Sequence, residues 1–593
     1  MPQPKENSPI KRDILFRVHL LYAAFVLIAA LVFARLIWVQ LFSSEVAYNA
    51  ERLEGRIFTD EIIPARRGNI LTRDGEPLAT SLFRYQVEMD YGSPGFDSLR
   101  TFREQSDSLA KLLALYFRDK SAAAYAQAMQ REHTRRYRVT YRKDTLVPRS
   151  EGGLARWWDR MRGEEFLTVK LYDTLRDHTP VALFPREIDY TEWQTLRRYP
   201  ILNWNMGMTY RLRERDERVY PQGELGRRTI GQVGDKGNYG VEYVLRDVLE
   251  GRDGKARRQR IARGFYGRVV GGDNSEPEDG LDVVTTLDLE MQDVADRALR
   301  RQLEAQNALW GTALVMEVAT GDLLAMANLS RTKSGAYAEV KNHALSSRME
   351  PGSTFKLAAL LALVDDAGMS LDETFDTGNG ARVKVGRTTV QDSHGLPPLN
   401  LKDAVAHSSN VFFARAVYET YKDDPERYVD YLRHLHLDRT VGLEEFGAVA
   451  PIFPAPGMKI WYPDVSIVNM GYGYAIELTP LHTLTLYNAV ANDGKMISPV
   501  LVRELRRGDR RVLVDKICSS SALRKVRECL EEVGTTGTAK QFFRDTTLFK
   551  IAGKTGTAQF AQDGIKYSDG YYLGTMVLYF PADEPKYTVL TAM

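Results

Sequence analysis

Cysteine is scarce, and neither sign of charge is in excess. The 593 residues contain two cysteines, Cys518 and Cys529, too few for a disulfide framework. They bracket SSSALRKVRECLEEV, which reads as a helix, and ten intervening helical residues hold their Cα atoms beyond bridging distance. Both are expected as unpaired thiols. Lys plus Arg total 80 and Asp plus Glu 78, for a net charge of +2, so no polyanion or nucleic-acid partner is called for. The chain lacks HExxH and CxxC, and no metal or cofactor is expected. Repeats and low-complexity tracts are missing too. A mean hydropathy of −0.34 argues against a multi-spanning membrane protein. At 44% hydrophobic and 27% charged residues, the composition excludes a disordered chain, a collagen and a coiled-coil rod. The length allows roughly four structural units.

One long apolar run is present. Residues 18–34 contain no Lys, Arg, Asp or Glu, and after Arg35 the run resumes as LIWVQLF to Phe42. Arg35 can snorkel, with Trp38 as an interfacial anchor. Lys5, Lys11, Arg12 and Arg17 precede the run and place the N-terminus in the cytoplasm. The expected division is a cytoplasmic tail at 1–17, a transmembrane anchor at 18–42, and everything later outside. A cleaved signal peptide competes, since Val32 and Ala34 are small, but the resumption after Arg35 favours an uncleaved anchor. In that compartment the basic run 252–263 reads as a solvated face.

Beyond the anchor, IIPARRGNILTRDGEPLATS (62–81) reads as two short strands around a turn at Asp74-Gly75. Residues 97–200 are read as mostly helical. Residues 218–254 hold many glycines bracketing one helix at 241–249, and 273–280 is read as a linker. ALVMEV and DLLAMANL, split by Ala319-Thr320-Gly321, form an expected hairpin.

Three short motifs carry chemistry. In EPGSTFKLAALLALVDDAG, Ser353 opens a helix that is apolar almost all round, so it should be buried centrally. Ser353 and Lys356 are three apart and share a face. A serine hydroxyl needs a neighbouring base, and a lysine serves only when burial or a nearby cation keeps it partly neutral. The helix start also offers N–H groups to an oxyanion. The second motif is Ser408-Ser409-Asn410, 55 residues later. The third, Lys554-Thr555-Gly556-Thr557 on an expected edge strand, follows by another 146. Two decoys fail: Ser108/Lys111 lies mid-helix among charges, and Lys333-Ser334-Gly335 precedes Ser353. Asp392 and His394 in VQDSHG look triad-like but are assigned a loop-structuring role, because the lysine already supplies a base.

This ordered set, with RRGNILTRDGEPLA, RVYPQGELGRRTIG, GNYGVEYVLRDVLEGRDG, GYGYAIELTPLHTLTLYNAVANDGK and EEVGTTGTAKQFFRDTTLFKIAGKTGTAQ, resembles the class B penicillin-binding proteins over nearly the whole chain. It is most similar to the division-specific transpeptidase. The resemblance implies an α/β (α+β) serine-transpeptidase domain at 281–593, an antiparallel sheet with helices, carried on an elongated α+β pedestal or dimerisation domain at 43–272 behind the anchor. It implies D,D-transpeptidation of peptidoglycan stem peptides ending in D-Ala-D-Ala, and acylation by β-lactams. Ser353 is then the nucleophile and Lys356 the base, with Ser408 relaying a proton and Lys554 nearby. Asn410 holds the donor backbone, Thr555 and Thr557 bind the terminal carboxylate, and Gly556 lets the substrate lie along the strand edge. Ser353 and Thr557 N–H groups form the oxyanion hole. A SEDS-family glycan polymerase and division proteins are implied partners, at the inner membrane with the catalytic domain periplasmic. Arg67 and Gly68 are expected to matter for cell-wall synthesis while penicillin binding survives, against the alternative of a structural turn.

Other readings remain. An elongation-specific transpeptidase carries the same motifs. A β-lactamase needs a water-activating glutamate in an E-x-x-L-N loop, and the chain has none. A β-lactam sensor needs a cytoplasmic signalling part, and an idle scaffold need not keep all three motifs. At the C-terminal end, 571–581 and 586–593 read as an apolar hairpin whose Val577, Leu578, Val589 and Leu590, or their alternating neighbours, are expected to be partly uncovered, as for a domain that stops short of a closing helix.

Overall fold

The structure is a computed structural model. It describes residues 9–42, 58–93, 96, 99–149, 153–163, 166–203, 210–235, 237–262, 265–268, 274–503, 511–542, 549–560 and 569–593. The first element is a helix, Pro9–Phe42. Within it Ile14–Trp38, 25 residues of mean hydropathy 2.5, is wholly unburied and long enough to cross a ~30 Å hydrocarbon layer at 1.5 Å per residue. The Arg35 guanidinium lies 5.0 Å from the Trp38 ring centre.

The chain divides into two compact units, Met1–Ala65 with Phe83–Arg215 and Arg252–Glu278, and Arg66–Leu82 with Asp216–Gly251 and Asp279–Met593. The first unit holds a three-stranded sheet (Phe58–Ile63, Gly254–Ala262, Phe265–Arg268) and a separate core in which the helices Leu99–Phe117 and Ala122–Arg136 bury Phe102, Leu109, Leu113, Tyr125 and Met129. The sequence expectation of mostly helix over 97–200 is corrected here. Tyr137–Pro148 and Phe166–Arg176 form a long antiparallel hairpin. Runs such as RVTYRK and FLTVKLY alternate β-branched or aromatic residues with polar ones at period two, a strand pattern.

The second unit interleaves segments that the sequence division had placed on different sides of residue 272. Val283–Val284 pairs in parallel with Ile70–Leu71. Gly68 N donates to Leu249 O at 2.8 Å, and Leu281 N to Val248 O at 2.9 Å. The pairing of Val283 with Ile70 and the bond from Gly68 to Leu249 join residues 213 and 181 apart, which no contiguous boundary can represent. At their centre Glu242, almost fully buried, takes Arg67 Nη2 at 2.8 Å and Arg218 Nε at 2.6 Å. Arg67 also reaches Glu250 at 3.0 Å, and Arg218 the Gly68 carbonyl at 2.8 Å. A Cβ on Gly68 would lie 2.0 Å from the Leu281 carbonyl oxygen. These contacts give Arg67 and Gly68 an architectural part in this unit.

The same unit carries a six-stranded antiparallel sheet in the order Tyr337–Ala338, Leu323–Arg331, Trp310–Glu317, Tyr587–Ala592, Tyr572–Phe580, Ala552–Gln559. The expected hairpins at 313–329 and 571–593 are its inner strands, and Ala552–Gln559 is its edge. Val577 and Leu590 are fully buried on one face, whereas their neighbours Leu578, nearly buried, and Val589, half-buried, lie on the other. That face opens on an apolar groove of about 560 Å³ between the helix Leu289–Gln306 and the strands, lined by Val294, Ala298, Val315 and Val589. Cys518 and Cys529 are free and buried, and burial pushes each thiol up to about 12.

Replacing Arg67 by Ala removes one of two arginines from a buried carboxylate. The change is expected to destabilise this unit by ~1–3 kcal/mol, read as a lowered urea midpoint. Arg67→Lys restores little, because one ammonium does not span both glutamates. An unchanged midpoint in Arg67→Ala would contradict the architectural role.

Candidate active site

A turn of 3₁₀ helix, Gly352–Phe355, presents Ser353 and runs directly into the α-helix Lys356–Leu361. Leu357 to Leu363 are almost entirely inaccessible, so the helix is surrounded on all sides, as its apolar sequence requires. The turn is held from two directions. Tyr487, on the helix Pro480–Ala491, donates its hydroxyl to Thr354 O at 2.9 Å, and Gly352 N donates to Gly473 O at 3.0 Å.

The second motif joins the helices Leu401–Ala406 and Asn410–Tyr421. Ser408 has φ 57°, a left-handed conformation that is uncommon for a residue with a side chain. This conformation aims its carbonyl at the first motif. Lys356 Nζ lies 2.6 Å from Ser408 O, 2.7 Å from Asn410 Oδ1, 3.0 Å from Ser353 Oγ and 3.2 Å from Ser408 Oγ. Four residues that the sequence spreads over 58 positions therefore meet at one nitrogen.

Asp392 holds this arrangement from behind. Its carboxylate accepts Ser409 Oγ at 2.7 Å and the backbone N–H groups of Asn410 at 2.5 Å and Val411 at 3.1 Å, while Ser409 Oγ accepts from Phe412 N at 3.0 Å. A buried carboxylate thus caps the helix that begins with Asn410. The loop-structuring role assigned to Asp392 holds in this specific form. His394 is exposed, with its ring Nδ1 3.0 Å from the hydroxyl of the neighbouring Ser393.

The third motif lies on the edge strand Ala552–Gln559. Lys554 is 2% exposed and donates to Thr555 O at 2.9 Å. Thr555 and Thr557 lie on the accessible side and Lys554, Gly556 and Ala558 on the buried one. A Cβ at Gly556 would come 3.0 Å from Thr354 Cγ2 and 3.3 Å from Thr354 N. The missing side chain therefore admits the Ser353 turn against the strand. The sequence expectation had used that space for substrate.

Electrostatics follow from burial. Lys356, 1% exposed, is held well below the ordinary lysine range by desolvation first, then by the Lys554 charge, with Asp392 acting in the opposite direction. Burial alone pushes Lys554 down to about 7. No cluster of three potential metal ligands occurs among the described residues.

The sequence singled out eight of these positions with motif roles but not how they meet. It missed Thr538, whose hydroxyl is 2.7 Å from that of Thr555 and which sits in the quoted run GTTGTAKQ. It also gave no sign of the left-handed turn at Ser408, since no glycine marks it.

Comparison with known proteins agrees with this geometry. A family model described as the penicillin-binding protein transpeptidase domain matches residues 311–593, and one for the penicillin-binding protein dimerisation domain matches 62–285. A probable peptidoglycan D,D-transpeptidase PenA from Neisseria meningitidis is 27% identical over 384 residues, 63% of each chain. A penicillin-binding protein PbpB from Mycobacterium tuberculosis is 29% identical over 408 residues, 63% of this chain and 57% of the relative. A probable peptidoglycan D,D-transpeptidase PbpC from Pseudomonas aeruginosa is 24% identical across 96% of this chain and 89% of its own. The matched stretch thus spans somewhat under two thirds of the meningococcal and mycobacterial relatives. Among solved structures, penicillin-binding protein 2X from Streptococcus thermophilus superposes with TM-score 0.65 at 19% identity, covering 90% of this chain and 77% of that one. With two domain models accounting for the regions on either side of residue 300, the first two motifs gathered on one buried lysine and the third packed against the turn that carries Ser353, the chain belongs to the class B penicillin-binding proteins.

Proposed function

We propose that the chain is a membrane-anchored peptidoglycan D,D-transpeptidase that acts through an acyl-enzyme on Ser353. The observation that carries this reading is the Lys356 nitrogen, buried and within hydrogen-bond distance of Ser353 Oγ and of Ser408 and Asn410 in the second motif. Neutral Lys356 takes the Ser353 proton as Oγ attacks the carbonyl carbon of the penultimate D-alanine. The oxyanion is received by the Ser353 and Thr557 N–H groups. The C–N bond then breaks, and the leaving D-alanine amine takes a proton through the Ser408 hydroxyl, which is resupplied from the lysine pair. An acceptor amine of a second stem peptide attacks the ester, forms the cross-link and returns the proton to Ser353. With Asn410 Oδ1 turned to Lys356, its Nδ2 is the group for a donor-peptide carbonyl. Thr555 and Thr557, on the accessible side of the edge strand, suit the terminal carboxylate. β-Lactams, as D-Ala-D-Ala mimics, acylate the same serine.

The N-terminal helix supports a single-pass anchor with the tail cytoplasmic and the catalytic domain periplasmic. The resemblance to division-specific enzymes supports a septal role. Overlay on a peptidoglycan synthase complex, TM-score 0.63 at 21% identity over 97% of this chain and 94% of that one, supports a SEDS-type polymerase partner.

Two outcomes test the reading. Ser353→Ala abolishes labelling by fluorescent penicillin and Ser108→Ala does not, with the wild-type adduct persisting because no water-activating glutamate is in evidence. An adduct elsewhere, or rapid penicillin turnover, contradicts it. Lys554→Met trades activity for stability. The lysine's folded value, about 7, lies below its unfolded value of about 10.4, so the folded state binds fewer protons between those limits. Its destabilising contribution is full below about pH 7 and fades as pH rises toward 10. The variant's gain in urea midpoint over wild type should therefore be largest near pH 6 and shrink toward pH 10, while acylation falls. A pH-independent gap contradicts the assignment.

A further inference from the structure

We propose that Thr538 is a third hydroxyl of the donor-carboxylate site and the strap that joins the two walls of the cleft. The inference rests on the transpeptidase reading and deepens it. Thr538 follows the helix Ser520–Thr535 and belongs to neither the second nor the third motif, yet it touches the surroundings of both. Its backbone N donates to Ala406 O at 3.1 Å, the last residue of the helix leading into Ser408. Its Oγ1 lies 2.7 Å from Thr555 Oγ1 on the edge strand. Both threonines are accessible, as is Thr557 two residues along the same strand face.

The chemistry follows from proton counting. A threonine hydroxyl has one proton and two lone pairs. In the Thr538–Thr555 pair one hydroxyl donates to the other, leaving one proton for a ligand. A carboxylate is an acceptor only, so its arrival sets the direction: Thr538 donates to Thr555, and Thr555 donates to the carboxylate. A hydroxyl that accepts one bond becomes a better donor in the next, and the gain is greatest toward an anion. Lys554, the cation of the same strand, adds attraction without needing contact. The Thr538 backbone bond to Ala406 already fixes the turn, so the hydroxyl is not needed for folding there. Thr538 is thus a specificity residue for donors ending in a free carboxylate.

Thr538→Val keeps the branched shape and the backbone donor but removes the hydroxyl, and Thr538→Ser keeps the hydroxyl. With the full chain in detergent, the rate of Ser353 acylation is measured by intact mass with benzylpenicillin and with its methyl ester. The expected result for Thr538→Val is acylation about tenfold slower with the acid, the ester rate unchanged within about twofold, and recovery in Thr538→Ser. Equal slowing with both probes would make Thr538 a packing residue and overturn the inference, as would no change with either. A wild-type chain that forms no Ser353 adduct with the acid would refute the transpeptidase reading itself, and the inference with it.

Discussion

Everything at this site depends on one buried nitrogen and the number of its acceptors. Lys356 Nζ has four oxygen neighbours within 3.2 Å. Two of them, the Ser408 carbonyl and Asn410 Oδ1, can only accept, and they are the two shortest contacts. The other two are hydroxyls, which can donate. A neutral amine has two N–H donors and one lone pair. It satisfies both obligate acceptors and keeps the lone pair for a serine proton. An ammonium in the same place would turn a third N–H to a hydroxyl and leave no lone pair for the Ser353 proton. The contacts accommodate the base form, and desolvation together with the Lys554 charge favours it.

That preference comes at a cost to stability. Two lysines, Lys356 and Lys554, are buried in one cleft, and a residue with a side chain sits at positive φ between two helices. The surroundings over-determine these features. Asp392 caps the helix after Ser408, Tyr487 pins the turn that carries Ser353, and the edge strand presses on that turn where Gly556 has no side chain. Neighbouring structure bears the strain so that the reacting atoms need not move. Asp392 also partly opposes the desolvation of Lys356, so one carboxylate both positions the turn and limits how far the lysine's proton affinity falls.

Much of this was legible in the sequence, for identifiable reasons. The N-terminal apolar helix, the hairpin around Ala319-Thr320-Gly321, the edge strand and the central serine helix each depend on local sequence pattern, which is written residue by residue. The motif order marked Ser353, Lys356, Ser408, Asn410 and Lys554. What was not legible depends on distance along the chain. Asp392 acts 18 residues ahead of the helix it caps, Thr538 acts 17 residues ahead of Thr555, and segments 66–82 and 216–251 join a unit whose bulk begins at 279. Gly556 was assigned to substrate because a strand edge alone does not reveal the turn packed on its other side. The hairpin over 137–176 was read as helix because its charges obscured a period-two alternation.

The central claim concerns the protonation of Lys356, and it can be observed directly. In the full chain with ¹⁵N-labelled lysine side chains, the Lys356 Nζ resonance is assigned by its loss in Lys356→Arg and followed with pH. Lys356 is predicted to titrate well below the ordinary lysine range and to shift lower still in Asp392→Asn, which removes a carboxylate that favours its charged form. A Lys356 that titrates within the ordinary lysine range or above it would contradict the account.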